Sequence, residues 1–453
     1  MDIVFLSVLL ASWVAVKGQR SRWAFVLAGI VLVHLMTQTP EWSSGWRALI
    51  LRAAGLGLAG IGAAYAMRQR ATSIVRLGSF GVAVVLFPAL GTYSIIWSVD
   101  VLDTVVKTIG FTVMATLFYC ALKHRWVPDH EYLLSDLSTF VRVLSASIVV
   151  SYALSFVGVV DGWGFGGRFQ GIFHNPNTLA ALGMAALFPA LYLASCRRSL
   201  AWLSTALLLC VPMLQSGSRG PLFAIIAALV CGYLLWVMRN PRPLPLLAGV
   251  GAVFALVFRN GLIGLLSEST TPVLSAVRRL LETSESSNPF NSRLIAWEDG
   301  IRAFERSPWL GHGWNATRTI LTGGHAEGLV QFELAQAHSS YIEILIDLGL
   351  AGAAITVLLV LGLALQMWRV SGTSRSLLLA MGVIAGLALS VSESYLFGLS
   401  SPGAWLTWLA MFACYALPVD SVAEANRERG MTRSRANLTT LGNRNGREVS
   451  DGV

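Results

Sequence analysis

Long apolar runs recur along most of this chain, and they limit its fold more than any other feature. Thirteen stretches, near residues 1–16, 23–38, 46–66, 74–98, 102–121, 138–159, 177–195, 199–215, 220–238, 244–258, 338–368, 374–397 and 402–418, are candidate crossings. A perpendicular helix needs about 20 apolar residues, so the shorter runs are expected to tilt, re-enter or borrow neighbouring turns. Inside a bilayer the backbone must bond to itself, which makes such runs helices. Charged residues are 13% of the 453, against about 25% in soluble domains. The expected fold is all-α: a polytopic integral membrane protein of 12 or 13 transmembrane helices.

Sidedness follows from alternation of charge. Lys17/Arg20/Arg22, Arg68/Arg70/Arg76, Lys123/Arg125, Arg197/Arg198, Arg239/Arg242, Arg369/Arg375 and six arginines after Ala423 occupy every second connector, which assigns that set to the cytoplasm. The other set, 39–45, 99–101, 160–176, 216–219, 259–337 and 398–401, then faces outward. Thirteen crossings put the N-terminus outside and twelve put both ends inside; the later loops keep their side either way. Met1–Val16 lacks a basic flank and a small-residue cleavage site, so it reads as a retained helix.

The net charge of +9 is spread through connectors and tail, which argues for topology and against nucleic-acid binding. The five cysteines all lie in or beside apolar runs, so neither a disulfide framework nor a thiolate metal site is expected. Four regions result: N-terminal membrane helices 1–258, an outward loop 259–337, C-terminal membrane helices 338–418 and a polar tail 419–453 expected to be disordered. In the loop, Pro272–Ser284 and Asn291–Arg306 each carry one apolar face at helical spacing, and both read as helices lying on the outer membrane boundary.

Polar groups at the outward span ends are the informative residues, because each is costly there unless paired, hydrated or used. The first cluster is Arg168 with His174-Asn175-Pro176-Asn177; Asn175 and Pro176 have the plain role of starting a helix, whereas Arg168 and His174 have none. The second is Gln215-Ser216-Gly217-Ser218-Arg219-Gly220-Pro221, where free N–H groups of a helix start lie beside a guanidinium, a fitting place for a phosphate. Ser218 as an N-cap and Arg219 reaching lipid phosphates is the alternative. The third is His338-Ser339-Ser340-Tyr341-Ile342-Glu343, where an imidazole near the water boundary suits a general base and Glu343 either orients it or pairs with an arginine. A lone histidine at a span end is otherwise an interfacial hydrogen-bonding residue.

Arg293 starts an amphipathic helix, where the macrodipole disfavours a cation, so it is expected to have an anionic partner outside that helix; a rim bridge to Glu298 or Asp299 is the alternative. His312, between two glycines, caps a turn or supports the site, and Arg302 with Glu298 forms a surface pair. The outward side carries no metal constellation, nucleotide-binding loop or serine nucleophile elbow. A site of arginines and one histidine, with no metal and no cofactor expected, suits a donor activated by its own diphosphate, whose leaving group guanidinium forks can neutralise.

At these residues the chain resembles the O-antigen ligase and polymerase superfamily of bacterial envelope glycosyltransferases. The resemblance is carried by Gly171-x-x-His174-Asn175-Pro176-Asn177, by Ser218-Arg219-Gly220, by Arg293-x-x-x-Trp297 leading to Pro308-Trp309-Leu310-Gly311-His312-Gly313, and by a long loop ending in His338. His338, Ser339, Gly349 and Gly352 also fit the spacing of the ligases. The resemblance implies transfer of O-antigen polysaccharide from undecaprenyl diphosphate to a sugar hydroxyl of lipid A-core oligosaccharide, in lipopolysaccharide assembly. The site would lie on the periplasmic face of the bacterial inner membrane, with membrane lipids as surroundings and no nucleic acid as partner. Carried over, His338 is the general base, Arg219 and Arg293 hold the diphosphate with Arg168 added from position and charge, and His174, Asn177, Ser218, Ser339, Tyr341 and His312 are supporting candidates. Inversion at the anomeric carbon follows if one displacement operates.

An O-antigen polymerase shares the donor and differs in acceptor, which would be a second undecaprenyl-linked chain. A protein O-glycosyltransferase is a third reading. A lipid-linked oligosaccharide flippase predicts polar groups along a path between both faces; Lys107 and Arg142 stand isolated at mid-depth, and the polar clusters gather on one side.

Overall fold

The computed structural model describes residues 22–38, 45–68, 75–164, 167–239, 291–322, 337–399 and 401–417. The apolar runs 1–16 and 244–258, the amphipathic stretch Pro272–Ser284 and the tail after Val419 lie outside them. The other eleven candidate spans all contain helices: α1 (Arg22–Met36), α2 (Gly45–Met67), α3 (Gly78–Ser94), α4 (Val101–Ala121), α5 (His130–Phe156), α6 (Pro176–Arg197), α7 (Leu200–Gln215) and α8 (Arg219–Arg239), followed after α9 and α10 by α11 (Ser340–Val370), α12 (Ser374–Ser392) and α13 (Pro402–Ala413). The amphipathic segment 291–306 is helical as read, α9 (Asn291–Arg306), and α10 (Thr317–Leu321) follows it. Seven helices among the described residues are long and apolar enough to cross a membrane, and three shorter apolar ones accompany them. The fold is that of an all-α polytopic membrane protein.

Small and large apolar faces set the packing. Along α8, Gly220, Ala224, Ala228 and Gly232 are buried at every fourth position, whereas Phe223, Leu229, Val230, Leu234 and Met238 are exposed. The small stripe lets α12 approach closely, with Met381 over Gly232. The large residues form the face suited to lipid. The twelve residues of α13 are all buried. A helix apolar on every side belongs at the centre of a bundle, and α13 touches α12, α6, α4, α5 and α1 there.

Hydrogen bonds between connectors respect the two sets defined by charge. At one end, the His174 amide donates to Gln38 (2.9 Å), Val99 to His312 (3.0 Å), and Gly313 to Asp347 (2.9 Å). At the other end, Tyr192 lies 3.1 Å from His130 and Arg239 donates to the Trp368 carbonyl. Arg125, read above as a loop charge, is instead buried. A π-helical turn, Leu122–Trp126, folds its guanidinium back to Asp136 at 3.2 Å, where Trp126 Nε1 also donates (2.8 Å). A buried charge is tolerable only with such a complete set of partners.

The apolar run 338–368 is not one helix. Gly349 breaks α11 with φ 61° and ψ −154°, a conformation open only to glycine. Its Cα faces the backbone of Pro308–Leu310, and a Cβ there would stand 2.6 Å from the Trp309 carbonyl carbon. Reciprocally, Gly311 (φ 66°) meets the backbone of Asp347. The 307–316 segment is thus locked across the N-terminal part of α11. Asp347 completes the lock, accepting from Asn315 N (2.7 Å), Thr317 N (2.8 Å) and Thr317 Oγ1 (2.7 Å), and Trp314 is wholly buried behind it.

Candidate active site

Four elements converge at the end of the bundle where α8 starts. Trp163–Gly164 (β1) pairs antiparallel with Arg168–Phe169 (β2). Side chains alternate across a strand, so the hairpin buries Phe169 against Tyr152 and Trp163 and leaves Arg168 on the other face. Arg168 Nε donates to the Ser216 carbonyl (2.7 Å) and Nη2 to Asn177 Oδ1 (2.8 Å), which also accepts from Ser218 Oγ (3.0 Å). The first and second sequence clusters are therefore one structure, joined through Asn177. Ser218 spends its hydroxyl on Asn177, and Asn175 is the cap of α6, accepting from Thr178 N (2.8 Å).

Arg219 is the first residue of α8, and Arg293 lies in the first turn of α9. The anionic partner expected for Arg293 is Glu393, a hundred residues further along the chain: Arg293 Nη2 donates to Glu393 Oε1 at 2.6 Å, and both side chains are 18% exposed. Glu298 and Asp299 go instead to Arg302, at 3.8 and 3.5 Å. Glu393 follows α12 directly and is held by α11. Ser340 N and Oγ each donate to its carbonyl (3.2 Å), Tyr395 N and Leu396 N donate to Ser340 Oγ, and Ser394 Oγ donates to Glu343 Oε1 (2.5 Å). A Cβ at Gly220 would lie 3.7 Å from Glu393 Oε1, so the carboxylate reaches the start of α8.

The electrostatics define a single patch. Arg168 feels Arg219, Glu393 and Arg293, while Glu393 feels Arg293, His338 and Arg168. Burial raises the Glu393 carboxyl above the usual carboxylate range, and Arg293 and Arg168 pull it back. His338 takes a left-handed backbone (φ 47°) just before Ser339, the N-cap of α11.

Arg168, Arg219, Arg293 and His338 are thus brought together, with Asn177 and Ser218 as supports. The remaining candidates make local bonds. His174 Nδ1 donates to the Gln38 carbonyl (3.0 Å), and burial lowers its pKa. His312 Nε2 donates to Ala303 (2.9 Å), Tyr341 to the Leu387 carbonyl (3.0 Å), and Ser339 Oγ accepts from Ile342 N (3.5 Å). Glu343 accepts from Ser394 Oγ. Lys107 is not isolated, because the Glu343, Asp347 and Asp103 carboxylates lie within electrostatic reach of it, whereas Arg142 lies 5.3 Å above the Trp202 ring.

Sequence reasoning missed Glu393. The signal that could have found it is the one that singled out Arg168: an ionisable residue at an outward span end. Among the described residues no three His, Cys, Asp or Glu side chains form a metal-holding group. Three guanidiniums around a helix start, beside an imidazole and a carboxylate, can neutralise a polyanion and accept a proton next to it.

The family model "O-Antigen ligase" matches residues 203–357, a stretch that holds Arg219, Arg293, His338, Gly349 and Gly352. A curated O-antigen ligase of Pseudomonas aeruginosa is 26% identical to the chain over 266 residues. That alignment covers 57% of this chain and 58% of the relative, so the chain matches little more than half of the relative's length.

Proposed function

We propose that this chain, a member of the O-antigen ligase superfamily, transfers O-antigen polysaccharide from undecaprenyl diphosphate to a sugar hydroxyl of lipid A-core oligosaccharide, at the periplasmic face of the inner membrane. The observation that carries this reading is that Arg168 bonds the turn before α8, Arg219 opens that helix, and Arg293 bonds Glu393, whose carboxylate reaches Gly220 and whose carbonyl accepts from Ser340, two residues after His338. The acceptor oxygen attacks the anomeric carbon as the carbon–oxygen bond to the diphosphate breaks. The electron pair of that bond leaves with undecaprenyl diphosphate, and the hydroxyl proton passes to the His338 imidazole. The guanidiniums neutralise charge that grows on the leaving oxygen, so their grip is strongest in the transition state. One displacement inverts the anomeric centre. On this reading the arginines take the part a divalent ion plays elsewhere, and the reaction proceeds without metal.

The test is transfer by the purified full-length protein in detergent with EDTA, given undecaprenyl-diphosphate-linked glycan with or without lipid A-core. Glycan on lipid A-core is the expected product. A longer undecaprenyl-linked chain would instead identify a polymerase, and activity lost to EDTA and restored by a divalent cation would end the metal-independent scheme.

A further inference from the structure

Arg142 lies midway along α5, and its long side chain carries the charge toward the end of the bundle where α6 turns into α7. Its guanidinium lies 5.3 Å above the ring of Trp202, in the first turn of α7. Trp202 is buried and Arg142 half-buried, so the cation is largely withdrawn from water. The ring attracts its charge but offers no acceptor to the N–H groups that point outward in the guanidinium plane. Among the described residues no acceptor bonds them. The carboxylates of its own helix are engaged or distant: Asp136 accepts from Arg125 and Trp126, and Glu131 is exposed in the first turn, roughly 16 Å away along the axis. The charges at the turn itself are of the same sign. Arg197 ends α6, Arg198 closes it in a left-handed conformation (φ 47°), and both are exposed; Arg197 lies within electrostatic reach of Arg142. Beyond Trp202 the surface of α7 is apolar, with Leu200, Leu203, Leu207 and Leu208 exposed. What satisfies Arg142 must therefore bring an anionic head and an apolar body.

We propose that the cleft between α5 and α7, beside the α6–α7 turn, binds an anionic phospholipid of the adjacent leaflet, its phosphate on Arg142 and its acyl chains along α7. The charge alternation of the sequence assigns that leaflet to the cytoplasmic side. Ring and phosphate use perpendicular directions of the same group: the ring takes the face of the guanidinium, and the phosphate oxygens take its edge. Arg197 and Arg198 add attraction at longer range, as basic residues do beside an anionic leaflet. A zwitterionic lipid brings the same phosphate together with its own cation, which the arginines oppose. The site is separate from the arginine patch around Arg219, because the two lie at opposite ends of α7. It therefore stands whether or not the transfer reaction is the one proposed.

The experiment is native mass spectrometry of the purified full-length protein in a nonionic detergent, titrated with phosphatidylglycerol, phosphatidylcholine or inorganic phosphate, for wild type, Arg142→Gln, Arg142→Lys and Arg306→Gln. Wild type is expected to retain its first phosphatidylglycerol molecule about tenfold more tightly than phosphatidylcholine, and Arg142→Gln to lose that preference through a drop of about tenfold, the worth of one charge-assisted bond. Arg142→Lys keeps the charge without the flat stack and the fork, so a fall of about threefold is expected. Arg306→Gln removes an exposed arginine of α9 and should bind as wild type does. Equal retention of the two lipids by wild type, or phosphatidylglycerol binding in Arg142→Gln as tight as in wild type, overturns the site. An equal loss in Arg306→Gln overturns it too, because net charge is then what the lipid reads. Inorganic phosphate that binds wild type and is lost in Arg142→Gln, without a preference between lipids, would make this a free-anion site and end the lipid reading. If Arg142→Gln does not fold, Arg142→Lys decides: undiminished phosphatidylglycerol binding in that variant overturns the proposal.

Discussion

At the scale of the residue, the proposed site divides into groups assigned to the donor anion and groups that hold them. His338→Ala is expected to lower transfer by about 10²–10⁴-fold, the usual worth of a general base, with membrane insertion unchanged on a blot of the membrane fraction. Arg219→Lys keeps the charge but loses the planar fork, and a drop in kcat/KM of about tenfold is expected from one charge-assisted bond lost. Asn177→Ala leaves Arg168 Nη2 and Ser218 Oγ without their shared acceptor; donor affinity should weaken while the pH profile stays fixed, because His338 is untouched. Arg168, Arg219, Arg293 and His338 were legible in the sequence since a charge at a span end needs a reason. The partner of Arg293 was not, because Glu393 is adjacent only in space: it follows α12, and its bond to Arg293 closes a hundred-residue separation that no local spacing encodes.

At the scale of the element, two glycine-dependent contacts set where the 307–316 segment rests. Gly349→Ala forces a methyl group onto the Trp309 backbone in a left-handed conformation. It should lower the thermal transition in detergent and reduce transfer, with the loss following misplacement of 307–316. Asp347→Ala strands the amides of Asn315 and Thr317; at about 1–3 kcal/mol for each buried unsatisfied group, that segment should become open to limited proteolysis. The small stripe on α8 is equally specific: Ala228→Leu overpacks the α12 contact at a cost of about 1–3 kcal/mol, read as a lower melting temperature. Helix α9 was legible to its ends because its apolar face alternates with charge. The break at Gly349 was not, since apolar residues continue through it, and the hairpin at 163–169 was not, since two-residue strands carry no periodicity.

At the scale of the whole molecule, the alternation of charge along the sequence becomes two ends of one bundle. Residues that share an end also bond to each other across long separations, as Gln38 does with His174 and Arg168 with Ser216. With the native cysteines replaced, Asp161→Cys should react with an impermeant thiol reagent added to the periplasmic side and Ser199→Cys only from the cytoplasmic side; the reverse pattern would turn the molecule over and place the arginine patch away from its proposed substrates. The buried α13 carries a consequence for how such a molecule is made. It comes after every other described helix in the chain, yet it fills their common centre, with Trp405 and Trp408 also tying down the 396–399 backbone through their indole N–H groups. During synthesis the earlier helices must therefore wait around an unfilled axis, and the turn bearing Glu393 has no firm seat until the last of them enters. The last described helix to be made is thus the one that the packing of the earlier ones, and the seat of Glu393, depends on.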